Sequence, residues 1–278
     1  MRWLRVVGIC LLWPVPALAD PPPANDSASQ PSLELGIGLG GLYFPDYPGA
    51  GESRKLLLPF PYIVYHGPHL DVTQSRVRGI VLAQSRFSLD VDFDGAVSVA
   101  SADTRERRGM PDLDWIGEAG PALRYHVWSS EGDDSYLDAV LPARAAVSAR
   151  GMTVHDRGWA WAPRIEYDHI QGEPAHAFEF DASFWTLWND AKLNDYVYGV
   201  TPQFAGAGRP TFEPGGGYSG YTLDLGLSLH QGSLVYGCFL RYTNLNGAVF
   251  AASPLVTREQ DVSVGLAVSW VIQSSRSP

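Results

Sequence analysis

In this 278-residue sequence, several segments alternate between polar and apolar residues, and three arginines and several carboxylates share the polar positions, or polar phase, of these segments. The residues that share this phase are Arg124, Arg144, Arg164, Asp138, Glu166 and Asp168. Opposite charges at facing positions of neighbouring strands attract each other, so the spacing predicts a ladder of ion pairs across several strands. Because an unpaired charge in a narrow interior is costly, we expect this ladder to fill the interior. A wide-open pore is therefore disfavoured.

Asp90, Asp92 and Asp94, followed by Gly95, imitate the start of a calcium-binding EF-hand loop. The twelfth position of that loop should hold a bidentate glutamate, but it is occupied by Ser101. The intervening Val91 and Phe93 indicate a strand, so we interpret the three aspartates as a row of carboxylates on its polar face. Such a row could bias passage toward cations, or it could be an ordinary charged lining.

Gly36 to Gly41 satisfies the G-x-G-x-x-G spacing of dinucleotide-binding proteins. That motif requires a following helix, which Pro45 and Pro48 prevent, so the glycines are interpreted as the small face of a strand. His66 and His69 lack cysteine or acidic partners at ligand spacing, and no G-x-S-x-G elbow is present. The sequence therefore predicts no catalytic residue, no metal site, no cofactor-binding residue and no cofactor.

The elements that would hold these charges are strands with apolar residues at every second position. From Phe87 to Val99, large apolar residues alternate with small or acidic ones, which is typical of a strand with one apolar and one polar face. The same pattern predicts about twelve strands and no long helix, with ten as the alternative count. The three weaker strands in this count are predicted at 56–64, 69–83 and 196–202.

The ends of the chain have a different composition. Residues 1–19 resemble a secretory signal peptide, with Arg2 and Arg5 before an apolar run and Ala17-Leu18-Ala19 before the expected cleavage point. From the composition we predict a disordered leader at 20–32, one β-barrel domain at 33–272 and a C-terminal tail at 273–278. The formal net charge of −10 excludes nucleic acid as an expected partner.

Aromatic residues near the ends of the apolar faces favour a membrane-embedded barrel over an exported water-soluble β-protein, which is the alternative. Examples are Phe87, Trp115, Tyr125, Trp159, Tyr167, Tyr221, Tyr242 and Trp270. Aromatic girdles of this kind lie at the two bilayer interfaces. We therefore predict an all-β, transmembrane, antiparallel up-and-down β-barrel in the outer membrane, in contact with its lipid.

Several short segments carry a resemblance to a known family. They are Tyr43–Ala50, Leu58–Tyr62, Arg108–Asp114, Tyr198–Thr201, Gly216–Tyr218 and Ser253–Leu255. With these segments in this order, the chain resembles the MipA/OmpV family of Gram-negative outer-membrane proteins (MltA-interacting protein and relatives). The resemblance covers most of the sequence, from about Leu35 to Trp270.

The resemblance implies a non-catalytic barrel. The namesake of the family is a scaffold that links a lytic murein transglycosylase to a peptidoglycan synthase, whereas other members are described as porin-like or adhesive. A scaffold and a solute channel or surface adhesin therefore both stay open at this point. Loops at 44–54, 103–114, 203–217 and 244–260 are predicted as recognition surfaces on the rigid barrel.

Overall fold

The computed structural model describes residues 32–73, 77–132 and 134–275. The signal peptide and nearly all of the leader predicted from the sequence lie outside these residues. The strands in the described residues are β1 (Ser32–Pro45), β2 (Ser53–His66), β3 (Leu70–Val72), β4 (Val77–Ala83), β5 (Phe87–Ala96), β6 (Trp115–Ser129), β7 (Ser135–Arg150), β8 (Thr153–Trp161), β9 (Arg164–Gln171), β10 (Phe178–Asn189), β11 (Gly217–Gln231), β12 (Leu234–Asn244) and β13 (Gln260–Ser274).

These segments form a closed antiparallel barrel of twelve strands. β8 and β9 both pair with β7, the first along Ala143–Arg150 and the second along Ser135–Val140, so together they occupy one strand position in the wall. β1 pairs with β13 from Glu34↔Ser274 to Tyr43↔Val264, which closes the sheet. The predicted fold class and strand number are confirmed.

The strand number agrees although two of the predicted strands were assigned wrongly. The predicted strand at 69–83 is a hairpin of two strands, β3 and β4. The predicted strand at 196–202 is wrong, because Ala191–Tyr198 forms a helix, α1. The Asp190 side chain caps this helix by accepting a hydrogen bond from the backbone N–H of Leu193 (2.9 Å). The two errors cancel in the count.

The alternation of residue types separates the two faces of the barrel wall as predicted. Side chains that point outward are apolar and exposed, and they form a continuous belt. Its members include Ile37, Leu39, Leu57, Leu89, Phe93, Leu123, Leu141, Trp159, Phe184, Leu227, Leu240, Leu266 and Trp270. Side chains that point inward include buried acids and arginines, such as Asp90, Asp138, Arg144 and Asp168. A hydrocarbon environment suits the outer face, and charge pairing is required inside.

The wall departs from this pattern at β2. Leu58, Phe60 and Tyr62 face the interior, since the Tyr62 hydroxyl donates to Glu34 on the inner face of β1 (3.2 Å). The prolines of this strand, Pro59 and Pro61, consequently face outward. The interior therefore has an apolar side as well as a charged one.

The connections at the two ends of the barrel differ in length. Long connections at 46–52, 97–114, 190–216 and 245–259 all lie at one end, here called the cap end. The other end, here called the turn end, has short connections at 67–69, 84–86, 130–134, 172–177 and 232–233, together with both ends of the described chain. An even number of strands places both chain ends on the same side of the membrane.

Within the described ranges, the helices are too short and too polar to cross a membrane.

Candidate functional site: the salt-bridged lumen and the loop cap

The most highly charged part of the interior is centred on Arg144 of β7. Its guanidinium contacts three carboxylates: Asp92 (2.8 Å), Asp94 (3.0 Å) and Glu118 (2.9 Å). Only 3% of the Arg144 side chain is exposed, so these contacts replace water almost completely. The acids come from β5 and β6, which places them on the two strands that precede β7 along the wall.

A second cluster surrounds Arg124 of β6. Its guanidinium lies 2.7 Å from both Asp138 and Glu166, and 3.3 Å from Asp90. Arg164 of β9 joins the two clusters, because it contacts Glu166 and lies 2.6 Å from Asp92. The predicted ladder of Arg124, Arg144 and Arg164 across neighbouring strands is therefore confirmed, and Asp168 is buried on the same inner face.

The opposite wall has its own ion pair. Arg241 of β12 contacts Asp224 of β11 at 2.6 Å, and the indole N–H of Trp185 donates to the same carboxylate at 2.9 Å. Ion pairs between neighbouring strands thus occur on both sides of the lumen. Removing one partner would leave a buried charge uncompensated, which costs more than the intact pair contributes.

The aspartate row of β5 is part of this network. Asp90, Asp92 and Asp94 each contact an arginine, so their charges are neutralised locally. This arrangement favours the ordinary charged lining over a row that selects cations.

The other motifs considered in the sequence are structural elements of the wall. Gly36 to Gly41 lies in β1, where a Cβ added at Gly36 would approach the backbone oxygen of Trp270 to 2.1 Å. The glycine there permits close approach of two strands. His66 contacts Asp71 at 2.8 Å. Among the described residues, no group of three or more His, Cys, Asp or Glu side chains could hold a metal ion.

The four long connections at the cap end pack together into one unit, which we call the loop cap (46–52, 97–114, 190–216 and 245–259). Its centre is a cluster of buried apolar side chains contributed by all four connections. The buried members are Tyr47, Ala50, Val99, Leu113, Tyr198, Val200, Leu245, Ala248, Phe250 and Leu255. The four connections therefore have a small apolar core of their own.

Tyr198, at the end of α1, is the residue on which the cap contacts converge. Its ring stacks on Phe250 with centroids 3.7 Å apart and planes inclined by 8°. Its hydroxyl donates to the carbonyl of Pro48 at 3.0 Å, and its own carbonyl accepts from Ser253 at 2.7 Å. Tyr198 therefore joins three of the four connections.

Arg107 joins the fourth connection, 97–114, to the other three. Its guanidinium donates to the carbonyls of Val197 (2.7 Å) and Pro111 (3.2 Å), and only 3% of the residue is exposed. Loss of hydration in this cluster lowers the pKa of Arg107 and raises the pKa of both Tyr47 and Tyr198. The two tyrosines consequently stay neutral hydroxyl donors throughout the physiological pH range.

The loop cap was not predicted from the sequence. The sequence predicts recognition surfaces at the loops 44–54, 103–114, 203–217 and 244–260, and their use by a partner stays a prediction. Most segments that carry the family resemblance lie in or next to this cap, including Tyr43–Ala50, Arg108–Asp114 and Tyr198–Thr201. The available signal was the presence of large apolar residues, such as Leu245 and Phe250, within irregular loops.

Replacing Arg144 by glutamine should destabilise the barrel strongly, because Asp92, Asp94 and Glu118 would lose their shared cation. We expect the free energy of unfolding to fall by about 3–5 kcal/mol, measured by urea titration of the protein refolded in phospholipid vesicles. Arg150→Gln is the matched control on the same strand, since 59% of the Arg150 side chain is exposed. Equal unfolding midpoints for the two variants would contradict a structural role for the ladder.

Replacing Arg107 by methionine should loosen the loop cap while leaving the barrel wall intact. We expect faster amide hydrogen exchange in 97–114 and 190–216 and unchanged exchange in β6 and β7, because the lost hydrogen bonds join only cap segments. The neighbouring Arg108 is exposed, so Arg108→Met serves as the control. Faster exchange throughout the strands would show that the cap does not behave as a separate unit.

Several solved structures are similar to this chain at low identity. A bacterial polysaccharide outer-membrane secretin is 10% identical, with 89% of this chain and 100% of that chain covered and a TM-score of 0.42. The NanC porin is 9% identical, with coverage of 84% and 98% and a TM-score of 0.38. A Pseudomonas aeruginosa FadL homologue is 10% identical, with coverage of 87% and 90% and a TM-score of 0.24.

No curated protein sequence matches this chain. The family model described as "MltA-interacting protein MipA" matches residues 37–272, which include almost the entire barrel. The exposed apolar belt and the inward ion pairs agree with this assignment. This chain is an outer-membrane β-barrel and belongs to the MltA-interacting protein (MipA) family.

Proposed function

We propose that this protein is a non-catalytic scaffold of the outer membrane that holds a lytic murein transglycosylase of the MltA type near the cell wall. Membership of the MltA-interacting family is the observation that carries this proposal. The resemblance noted in the sequence adds a peptidoglycan synthase as the second partner of the scaffold. The ion pairs that project into the lumen and the packed loop cap suit a rigid platform better than a transport path.

The turn end is the part of the molecule that we infer to face the periplasm. Both ends of the described chain lie there, and the loop cap lies at the opposite end. Arg86, Glu131 and Glu173 are exposed in three of its turns and carry charges of both signs. A polar surface built from short turns on a rigid wall fits a partner that binds reversibly.

Photo-crosslinking in intact Gram-negative cells tests this orientation and this partner together. p-Benzoylphenylalanine placed at Arg86, Glu131 or Glu173 should give adducts that mass spectrometry identifies as a lytic transglycosylase. The matched controls carry the same residue at Arg108 and Gly208, which are exposed in the loop cap. Transglycosylase adducts from the cap positions alone would overturn the proposed orientation, and their absence from every position would overturn the scaffold.

A surface adhesin is the second candidate, and one feature of the loop cap favours it. A depression of about 440 Å³ opens on the cap, where Arg105, Phe204, Arg209 and Pro254 line it. An aromatic ring beside two arginines could contact a host or environmental molecule at the cell surface. If the protein is an adhesin, p-benzoylphenylalanine placed at Gly208 should give adducts with a surface ligand in the crosslinking experiment.

A solute channel is the third candidate function, and the ion pairs that project into the lumen argue against it. In planar bilayers we expect no large, stable single-channel currents from the intact protein, because the ion pairs of Arg124, Arg144 and Arg164 occupy the lumen. A general porin inserted under the same conditions supplies the positive control. Large currents from correctly folded protein would contradict the filled lumen and support the channel.

A further inference from the structure

The barrel wall is incomplete next to β2. β1 and β2 pair along their whole length, from Ser32↔His66 to Pro45↔Ser53. On its other side, β2 pairs with β3 only at Tyr65 and His66. β3 is three residues long and β4 is seven, so the wall between β2 and β5 is low and lies near the turn end. In the described part of the chain, Ser53–Val64 therefore has a strand neighbour on one side only.

The described strands β3 and β4 lie beside only the lower end of β2. Val72 lies opposite Tyr65, and four residues, of which 74–76 are outside the described ranges, connect it to Val77. Because such a connection must return to the neighbouring strand, its chain length limits its reach beyond Val72 and Val77 to about 8 Å. Pro59 is the lower end of the upper half of β2 (Ser53–Pro59). At about 3.3 Å per residue, it lies about 20 Å along the strand from Tyr65. We call this region the wall gap.

Two prolines lie on the open edge of β2. The N–H of Gly67 donates to the carbonyl of Leu70, so odd-numbered residues of β2 direct their backbone groups toward the β3 side. Pro59 and Pro61 share this parity and have no N–H. Their placement removes two unpaired donors from an edge that faces hydrocarbon. It also prevents regular pairing with an added strand from another chain.

The inner surface beside the wall gap is apolar and accessible. Leu56 and Leu58 point to the interior in register with Leu42 and Gly40, yet they are 37% and 42% exposed. Further down the same face, Tyr62 is only 1% exposed. Phe60 extends the apolar surface, since a Cβ added at Gly38 would lie 2.4 Å from its ring. Unfilled space therefore adjoins Leu56 and Leu58.

The outer surface beside the wall gap belongs to the apolar belt. Leu57 is 70% exposed, and the outward side chains of Leu39 on β1 and Phe93 on β5 are 53% and 44% exposed. The gap thus opens at the level of the membrane hydrocarbon. The substance in direct contact with it is the acyl region of the bilayer.

We propose that the wall gap is a lateral entrance and that Leu56, Leu58 and Phe60 form a binding site for one acyl chain of a membrane lipid. The apolar inner surface supplies the contact area, and the bilayer supplies the ligand at high local concentration. The prolines favour this occupant over a strand of a partner protein. The inference rests on the barrel wall alone and is independent of the scaffold function.

Photo-crosslinking in lipid vesicles tests the site. The full chain carrying p-benzoylphenylalanine at Leu58 is refolded in vesicles of phosphatidylethanolamine and phosphatidylglycerol, irradiated and analysed by intact mass spectrometry. Leu57 is the lipid-facing positive control. Trp185 is the matched inner control, because it is an inward aromatic residue on β10, whose neighbours β9 and β11 pair with it along this stretch.

We expect phospholipid adducts at positions 57 and 58, with a yield at 58 at least about tenfold above that at 185. Leu56 supplies a second inward position if the variant at 58 does not fold, as judged by heat-dependent migration on gels. Equal lipid yields at 58 and 185, or no lipid adduct at 58 and 56, would overturn the proposal. Crosslinking to a second polypeptide at these positions would also overturn it and would indicate strand addition instead.

Discussion

Pairing of buried guanidinium and carboxylate groups is the interaction on which the interior of this barrel depends. A strand with a period of two that presents one face to hydrocarbon must present the other face inward, and in this chain that face carries Asp92, Arg144 and Glu166. Each of these groups would be costly alone in a narrow space. Because arginine offers several donors in a fixed plane, one guanidinium can satisfy carboxylates from two or three strands.

Different interactions hold the lumen and the loop cap together. The lumen is occupied by ion pairs, whereas the loop cap is held by an apolar cluster and by hydrogen bonds from tyrosine and arginine side chains to backbone carbonyls. At the turn end, short connections leave the wall itself as the exposed surface. A rigid body with two unlike ends suits a protein that positions other proteins.

At the wall gap the barrel departs from full strand pairing, and two prolines reduce the number of unpaired backbone donors on the open edge of β2. Hydrogen bonds are complete where long strands face each other, as along β1 and β2. Where β3 and β4 are short, prolines replace donors on the open edge, and apolar side chains cover both of its faces. The prolines at 59 and 61, which are awkward for a central strand, thus have a physical reason in a strand with one free edge.

The sequence by itself determined the barrel class, the outer apolar belt and the ladder of Arg124, Arg144 and Arg164, because alternation is a local property of each strand, whereas the strand number agreed only because two errors cancelled. Only the tertiary structure decided that α1 replaces a predicted strand, that β2 turns apolar residues inward, and that four distant loops form one cap. These features depend on contacts between residues far apart in the chain, such as Tyr47 with Leu255, whose hydrogen bond spans 208 positions. A local pattern of residue types contains no information about which distant segment will supply the partner.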